Sequence, residues 1–453
     1  MNHPPYKTKS VEKIALLPYR ERLKKIRRAG YNLFFLNSED VYIDFLTDSG
    51  TGAMSEDQWA ALMQGDESYA GSSSFNRMQK SVRDILGFPY VIPCHQGRGA
   101  ENVFNSLLVK EGMLVPGNAH FDTTRAHIEH NLGIPIDCTI ASAYNFQSRH
   151  PFKGNVDVKK LKQVLKKNPD RIAYILITAT CNQIGGQPVS LENIRTVSGI
   201  AKRFRVPLFF DIARFAENAY FIKSRERKYR DWPLPKIVRE MMRYADGALM
   251  SAKKDAIVNI GGFIALRGKK LFQELGPRAI LMEGFLNYGG MAGRDMEALA
   301  VGLREGIEKN YLCHRIGQIQ YLGKGLAKIG IPVLQPWGGH AVYIDAGQML
   351  KHIPYYQFPG QALAIAAYIE GGIRGVEVGS LMEGRDPATH QNKKARQELL
   401  RFAVPRRVYS QEHLDYVIDI FTKIWKKRKY IRGVKFTREV PILRHFSSKF
   451  SVV

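Results

Sequence analysis

Residues 171–211, RIAYILITATCNQIGGQPVSLENIRTVSGIAKRFRVPLFFD, predict a strand, a helix and a second strand. The first run, RIAYILITAT, is largely apolar, which is typical of a strand in a parallel sheet that is covered on both faces. Ser190 stands at the expected N-cap of the helix LENIRTVSGIAKRF, and VPLFFD returns as a strand that ends in Asp211. This strand–helix–strand unit predicts a doubly wound α/β domain.

Asp211 ends the second of these strands. The carboxyl end of a parallel strand is where α/β proteins place their ligands, so Asp211 is a candidate binding residue. Arg214 follows one helical turn later, in IARFAENAYF. Asp211 could equally cap the next helix, and the local sequence leaves both interpretations open.

A second strand end carries two adjacent lysines. The segment YADGALM (244–250) predicts a brief buried strand, and SAKKD (251–255) follows it directly. Burying an ammonium group is unfavourable unless another group uses or neutralises it, and each lysine disfavours the charge of the other. A neutral amine can form a Schiff base with a carbonyl cofactor. The alternative is a charged turn where the strand reaches solvent.

The segment YVIPCHQGRGAENVFNSLLV (90–109) predicts a strand, a glycine-rich turn and a helix. Because the first N–H groups of a helix lack partners, Gln96, Gly97 and Arg98 form a candidate phosphate cradle. Farther on, Phe121 and Asp122 stand at a strand-to-helix transition, where Asp122 could also be a helix cap. A phosphate cradle, an aromatic ring, a strand-end aspartate and a strand-end lysine together suit pyridoxal phosphate.

Composition limits the class of protein. The chain has 453 residues, 45% of them hydrophobic and 24% charged, as in a soluble globular protein with more than one domain. Its four cysteines form no CxxC pair, and no apolar run reaches the length of a membrane span, so we expect a reduced, cytoplasmic protein without membrane association. The net charge of +25 suggests a nucleic-acid partner, but the basic clusters at 20–28, 223–230 and 426–432 resemble solvated amphipathic helices. Because no nucleic-acid motif accompanies them, nucleic-acid binding is disfavoured.

Short motifs along nearly the whole chain resemble the β-eliminating lyases of aromatic amino acids, the family of tryptophanase and tyrosine phenol-lyase. In chain order they are LTDSGT, GDESYAG, HQGRGAEN, FDTTR, GGQPVS, RFAENAYFIK, SAKKD, YGG, AGRDMEA, GGHAV, VEVGS and LRHF. The resemblance implies the fold-type-I pyridoxal phosphate architecture, with a large, mostly parallel sheet domain at 45–311. It implies a smaller α/β domain from 19–44 and 312–453, after an N-terminal arm at 1–18. It also implies a homotetramer whose active sites are shared between subunits.

The resemblance assigns roles to single residues. Lys254, rather than Lys253, corresponds to the Schiff-base lysine, and Arg401 to the arginine that binds the substrate carboxylate. Tyr69 corresponds to a catalytic tyrosine that the neighbouring subunit supplies. Tyr288 corresponds to a tyrosine that the neighbouring subunit supplies for a cofactor contact. The implied cofactor-binding residues are Gln96, Gly97, Arg98, Phe121, Asn182, Asp211, Arg214, Ser251, Lys253, Lys254 and Tyr288. The implied site for a monovalent cation, potassium or ammonium, is formed by Gly50, Glu67 and Asn259. The surroundings of Asn259, VNIGG, look more like the phenol-lyase.

Three positions distinguish the two activities of this family. Where the phenol-lyase has threonine, arginine and phenylalanine, this chain has Asp122, Val378 and His445, as tryptophanases do. We therefore expect elimination of L-tryptophan to indole, pyruvate and ammonium, with Lys254, Tyr69, Asp122 and His445 as catalytic residues and Val378 in the substrate site. His445 is expected to exchange a proton near neutral pH. A tyrosine phenol-lyase is the second hypothesis, and a basic nucleic-acid-binding protein on an inactive pyridoxal fold is the third.

Overall fold

The computed structural model describes residues 4–386, 389–441 and 443–453. These residues divide into two units. The first unit comprises 49–316 with Pro4 and Pro5, and the second comprises 6–48 and 317–453. Within the described residues, no helix combines the length and the apolar character that crossing a membrane requires.

The regular elements are numbered along the chain. The α-helices are α1 (Tyr19–Arg28), α2 (Glu56–Leu62), α3 (Ser73–Leu86), α4 (Gly97–Leu108), α5 (Asp122–His130), α6 (Val158–Lys167), α7 (Leu191–Phe204), α8 (Phe215–Arg225), α9 (Leu234–Met242), α10 (Lys269–Met282), α11 (Gly293–Glu305), α12 (Lys309–Lys328), α13 (Ala346–Met349), α14 (Pro359–Gly371), α15 (Ser380–Glu383), α16 (Gln411–Lys427) and α17 (Arg444–Ser447). The strands are β1 (Ile43–Asp44), β2 (Tyr90–Cys94), β3 (Leu114–Gly117), β4 (Ile134–Asp137), β5 (Ile175–Thr178), β6 (Leu208–Asp211), β7 (Gly247–Ser251), β8 (Gly262–Leu266), β9 (Ala341–Asp345), β10 (Ile373–Arg374), β11 (Val376–Val378), β12 (Leu399–Ala403), β13 (Val434–Arg438) and β14 (Lys449–Val452). Short 3₁₀ helices lie at Leu33–Phe35, Ser38–Asp40, Ala141–Ala143, Asn182–Ile184, Arg227–Tyr229, Tyr355–Gln357 and Arg428–Tyr430.

A seven-stranded sheet organises the first unit. Its strand order is β2-β8-β7-β6-β5-β3-β4, and β8 is antiparallel to both of its neighbours while the other pairs are parallel. The predicted unit at 171–211 appears as β5, α7 and β6, and the side chain of Ser190 caps α7 by accepting the N–H of Asn193. The predicted α/β class with a mostly parallel sheet is therefore confirmed.

Alternate residues of the central strands pack on opposite faces of this sheet. Ile175 and Phe210 belong to one apolar cluster, whereas Leu176, Phe209 and Leu249 belong to another. Since successive side chains of a strand point to opposite faces, both faces of the sheet are covered. The carboxyl ends of β2, β3, β5, β6 and β7 consequently meet at one edge of the sheet, which is where such folds bind ligands.

The second unit has smaller sheets. Strands β11, β12 and β9 form an antiparallel sheet in that order, β1 pairs in parallel with β10, and β13 pairs with β14. Val376 is paired with Arg401 and Val378 with Leu399. Because directly paired residues share a face, Val378 and Arg401 lie on the same face of the three-stranded sheet, and Glu377 lies on the other.

Candidate active site

A pocket in the first unit lies at the carboxyl ends of the parallel strands. It is lined by nearly all of the predicted cofactor-binding residues: Gln96, Gly97, Arg98, Phe121, Asn182, Asp211, Arg214, Ser251, Lys253 and Lys254. Their segments are far apart in sequence, and the parallel order of the strands brings them together. The structure therefore places these ten residues in one site.

Lys254 lies three residues beyond the end of β7. Its Nζ donates a hydrogen bond to Ser251 Oγ at 2.8 Å, which anchors the amine beside the strand that precedes it. The neighbouring Lys253 has its pKa lowered from the ordinary lysine value, first by burial and then by the positive charge of Arg98. The carbonyl of Lys253 accepts the N–H of Gly50 at 2.8 Å. The two lysines are thus held by different contacts within one pocket.

The candidate phosphate cradle is the first turn of α4. This helix begins at Gly97, directly after β2 and the extended residue Gln96, and its first N–H groups have no partners within the helix. A Cβ atom on Gly97 would lie 2.5 Å from Ser251 Cβ, so only glycine permits this approach of the helix to β7. Several N–H groups and the positive end of the helix dipole, with Arg98 in the pocket wall, suit a bound phosphate.

Asp211 is the acid of the pocket. Burial raises its pKa above the ordinary aspartate value, and this effect is opposed by the N–H of Ala213, at 3.0 Å, and by the charges of Lys254 and Arg214. A desolvated carboxylate is stabilised by a nearby cation, and a protonated pyridine nitrogen is such a cation. Thr180 Oγ1, also in the pocket wall, is buried and has no hydrogen-bond partner among the described residues. The site therefore fits pyridoxal phosphate in charge and in polar capacity.

Several pocket residues were not predicted from the sequence. They are Ser49, Glu101, Thr123, Thr178, Thr180, Ala213, Leu249 and Met250. Glu101 belongs to the motif HQGRGAEN, and Thr123 to FDTTR, so their nearness in sequence to predicted residues was the available signal. Asp122, which was predicted as catalytic or as a cap, is the first residue of α5 and accepts the N–H of Thr123 at 2.6 Å.

In the second unit, three predicted residues form a separate group. Arg401 donates to the carbonyl of Leu46 at 3.1 Å, while its Nε is buried without a partner among the described residues. Val378 lies on the same sheet face and is buried. His445 is near enough to Arg401 for that charge to affect its titration. The structure thus brings the predicted substrate residues of this unit together.

The charge of His445 differs from the sequence-based expectation. Its pKa is lowered to about 4. Burial is the largest cause, and the positive charges of Arg401 and Arg444 contribute the rest of the shift. The imidazole is therefore neutral at pH 7, and the expected proton exchange near neutrality is wrong. Its Nδ1 is buried and has no hydrogen-bond partner among the residues that the structure describes. A neutral imidazole offers one donor and one acceptor nitrogen.

Comparison with known proteins places this site in a family. A family model described as beta-eliminating lyase matches residues 44–420. The chain belongs to the β-eliminating lyase family. A probable beta-eliminating lyase of Trichomonas vaginalis is 51% identical over 98% of this chain and 97% of its own length. A tryptophanase of Salinibacter ruber is 50% identical over 98% and 94%, and a tyrosine phenol-lyase of Symbiobacterium sp. is 48% identical over 99% and 98%.

Solved structures identify the fold of this β-eliminating lyase. A serine palmitoyltransferase of Sphingomonas wittichii aligns with a TM-score of 0.57 and 13% identity over 91% of this chain and 97% of its own. The K265A variant of the S. paucimobilis enzyme, solved with a bound PLP–myriocin aldimine, aligns with a TM-score of 0.58 and 13% identity over 86% of this chain and 88% of its own. These likenesses confirm the fold-type-I architecture. Family membership, together with the fit of the pocket, supports pyridoxal phosphate as the cofactor.

The remaining predicted residues of this lyase lie outside the pocket lining. Tyr69 stacks on Phe285 with ring centroids 5.8 Å apart and lies 5.3 Å from Tyr288, and its side chain is 62% exposed. Glu67, in the same loop, forms an ion pair with Arg294 at 3.3 Å. Tyr69 and Tyr288 are thus close together in one protomer. Their contribution to a neighbouring subunit's site stays a prediction.

Two of the three predicted cation ligands are in contact. Asn259 Nδ2 donates to the carbonyl of Gly50 at 2.9 Å and to that of Gly52 at 3.4 Å. Gly50 has φ +74, and a Cβ there would lie 2.9 Å from the backbone carbonyl oxygen of Asn259, so both the conformation and the close approach favour glycine. Glu67 is paired with Arg294 instead. The structure therefore brings together Gly50 and Asn259, and a cation site that also includes Glu67 stays a prediction.

Proposed function

We propose that this lyase converts L-tryptophan and water to indole, pyruvate and ammonium, with pyridoxal phosphate as its cofactor. The observation that carries the choice of tryptophan is the neutral, buried His445, whose Nδ1 lacks a partner among the described residues. The indole N–H is a hydrogen-bond donor, and a neutral imidazole can accept it. Val378 is apolar and buried where the phenol-lyases have an arginine, so this position offers no cation to a phenol oxygen.

The first unit would hold the cofactor. Gln96, Gly97, Arg98 and Ser251 would bind its phosphate, and Phe121 would stack on its ring. Asn182 and Arg214 would contact the oxygen on the cofactor ring and the groups near it. When bound, the protonated pyridine ring supplies an electron sink for the negative charge that develops at the substrate Cα.

The chain's own groups would then move and hold protons. The amine of Lys254 removes the Cα proton as a general base, and Asp211 keeps a proton on the ring nitrogen. Arg401 binds the substrate carboxylate in a bidentate pair, for which its free Nε is available. The indole carbon that bears the side chain must gain a proton before it leaves, and Tyr69 is the proposed donor. His445 and Asp122 orient the ring in this scheme.

Assembly and a monovalent cation complete the proposal. Tyr69 is exposed in the protomer, and Glu67 is 55% exposed in its ion pair, so both are accessible to a second copy of the chain. We propose a homotetramer with shared active sites. Potassium or ammonium would bind to the carbonyl of Gly50 and to Asn259, joined by Glu67, because a hard cation requires several oxygen ligands.

Tyrosine phenol-lyase activity is the second candidate. It is favoured by the relatives of 46–49% identity that carry that name and by the VNIGG surroundings of Asn259. The two activities use the same cofactor residues. They differ in the groups that meet the aromatic ring, so kinetics with the two amino acids distinguishes them.

The decisive experiment measures kcat/KM for L-tryptophan and L-tyrosine on one preparation, assaying indole, phenol and pyruvate. Sites that recognise a substrate through polar groups discriminate by roughly 10⁴-fold against a substrate that lacks the partner group. We expect a preference for tryptophan of that order. Equal or greater kcat/KM with tyrosine would refute the proposal in favour of the phenol-lyase, and pyruvate from neither amino acid would refute both.

A further inference from the structure

Glu101 is a buried carboxyl group in the cofactor pocket to which neither the sequence nor the proposed mechanism assigns a task. It lies on α4, one turn after the phosphate cradle, and is 8% exposed. Its backbone carbonyl accepts Asn105 Nδ2 at 2.8 Å, and Tyr174 donates to Asn105 Oδ1 at 2.7 Å. The backbone that carries Glu101 is therefore fixed within the core of the first unit.

Both carboxylate oxygens of Glu101 accept hydrogen bonds from consecutive threonines of α5. Thr123 Oγ1 donates to Oε2 at 2.8 Å, and Thr124 Oγ1 donates to Oε1. Adjacent residues of a helix point about 100° apart, so two such contacts to one carboxyl group restrict both the rotation and the translation of the helix. Thr124 is buried, and Thr123 lines the pocket.

These contacts fix the end of α5 that carries two site residues. Phe121 is the N-cap of this helix, and its side chain makes no capping hydrogen bond. Asp122 is the first helical residue, and its side chain accepts the N–H of Thr123 at 2.6 Å. The hydrogen bonds from Thr123 and Thr124 to Glu101 therefore tie the first turn of α5 to α4.

We propose that Glu101 is a positioning residue that clamps the first turn of α5, and with it Phe121 and Asp122, to the helix that forms the phosphate cradle. The clamp sets the distance between the two parts of the site that would hold the cofactor's phosphate and its ring. This inference rests on the proposed cofactor but not on the proposed substrate.

The charge balance around Glu101 agrees with this task. Burial raises the pKa of Glu101 to about 7; the hydroxyls of Thr124 and Thr123 and the charge of Lys254 lower it, while the charge of Asp211 raises it. A carboxylate can accept from both hydroxyls at once, whereas an amide in its place has a single acceptor oxygen. Replacing glutamate by glutamine therefore removes the charge from both contacts and requires one threonine hydroxyl to accept from the amide instead of donating to a carboxylate.

The test compares Glu101→Gln, Thr124→Val and the double variant with the wild-type holoenzyme. The readouts are the dissociation constant of pyridoxal phosphate, measured without substrate, and KM and kcat for tryptophan. Thr124→Ser retains the hydroxyl and serves as the conservative variant. Thr196→Val on the exposed side of α7 is the matched control, since that hydroxyl donates to the carbonyl of Glu192 in its own helix.

We expect Glu101→Gln and Thr124→Val each to weaken cofactor binding about tenfold, as the loss of one charge-assisted hydrogen bond implies. The double variant should be no weaker than the worse single variant, and Thr124→Ser should lie within twofold of wild type. KM for tryptophan should rise more than kcat falls. Unchanged cofactor affinity in Thr124→Val, or independent effects in the double variant, would overturn the clamp. If Glu101→Gln does not fold, the threonine variants alone decide. Failure of wild type to cleave tryptophan would refute the substrate and leave this test intact.

Discussion

Two pairs of buried carboxyl groups, one in each unit, are stabilised in different ways. In the first unit, Glu101 and Asp211 line the same pocket, and each has its pKa raised by burial. In the second unit, burial raises the pKa of Glu377 well above the ordinary value and that of Glu398 to about 7, and the charge of Glu398 raises that of Glu377 further.

The two pairs differ in the cations around them. Asp211 interacts with Lys254 and Arg214, both of which line the pocket. In the second unit Arg444 interacts with Glu377 through its charge, but its guanidinium donates to the carbonyls of Leu381, Ser380 and Gly384.

Two adjacent residues, Ser380 and Leu381, donate hydrogen bonds to the second pair. Glu398 accepts the hydroxyl and the N–H of Ser380, and Glu377 Oε1 accepts the N–H of Leu381 at 3.1 Å. Glu377 Oε2 is buried without a partner among the described residues. Burial without a partner favours the protonated form of such a carboxyl group. Burial of an acid alone therefore does not mark the active site, whereas an acid that lines a pocket together with cations does.

The largest effect on kcat is expected at Asp211, and it tests the difference between the two pairs directly. Asp211→Asn preserves the shape of the side chain and removes the charge that would hold the ring proton, so kcat for tryptophan should fall by about a hundredfold to a thousandfold. Glu377→Gln is the matched change at the other pair. Because Glu377 is not among the residues that line the cofactor pocket, kcat of this variant should stay within about twofold of wild type.

Steady-state pyruvate release, with the cofactor at saturation, measures both variants. Thermal unfolding of each holoenzyme shows whether a loss of kcat reflects the fold. Equal losses in the two variants would mean that the pairs do not differ in function, and the distinction drawn from their cations would be wrong.

The same contrast explains what the sequence could predict. The β5–α7–β6 unit was predictable because an apolar run, the cap Ser190 and a second apolar run are all local signals. The motif residues Gln96, Asp211 and Lys254 follow strands whose carboxyl ends meet, so a parallel sheet implies their nearness. The antiparallel direction of β8 has no local signal of this kind, and the sequence predicted a mostly parallel sheet without indicating which strand runs the other way.

Other parts of the site depend on contacts that no short stretch of sequence encodes. The clamp of Glu101 on Thr123 and Thr124 joins residues 22 and 23 positions apart. The neutral state of His445 depends on Arg401, which is distant in sequence, and on burial. The titration of a histidine follows its surroundings, so its residue type predicted a neutral-range pKa that the folded environment changes.

An intermediate effect is expected at His445. Replacing it by phenylalanine keeps an aromatic ring near Phe446, whose centroid lies 4.0 Å from that of the imidazole, and removes the acceptor for the indole N–H. We expect His445→Phe to lower kcat/KM for tryptophan about ten- to a hundredfold, and to change that for tyrosine by less. The same factor of loss with both amino acids would show that His445 acts on folding or on the shared chemistry. Since its pKa is about 4, the ratio of wild type to variant should be flat between pH 6 and 8.

The smallest effect on catalysis is expected at Glu398, where the change concerns stability. Its pKa is about 7 in the folded protein and 4.5 for an ordinary glutamate, so the folded state binds more protons between these values. A carboxyl group with a raised pKa stabilises fully below pH 4.5, and that contribution is lost as the pH rises to 7 and above. Each pKa unit corresponds to about 1.4 kcal/mol, so the shift of about 2.5 units bounds the loss at about 3.5 kcal/mol.

Glu398→Gln removes this titration while keeping an oxygen that can accept from Ser380, and it removes the charge that raises the pKa of Glu377. The variant's free energy of unfolding, relative to wild type, should therefore increase between pH 5 and pH 8. Urea unfolding of the holoenzymes at four pH values measures this difference, with the exposed Glu111→Gln as the control that should follow wild type throughout. Parallel curves for Glu398→Gln and wild type would show that nearby groups already offset the effect of burial on the second pair, as Lys254 and Arg214 do in the first. The two regions would then differ only in their access to a ligand.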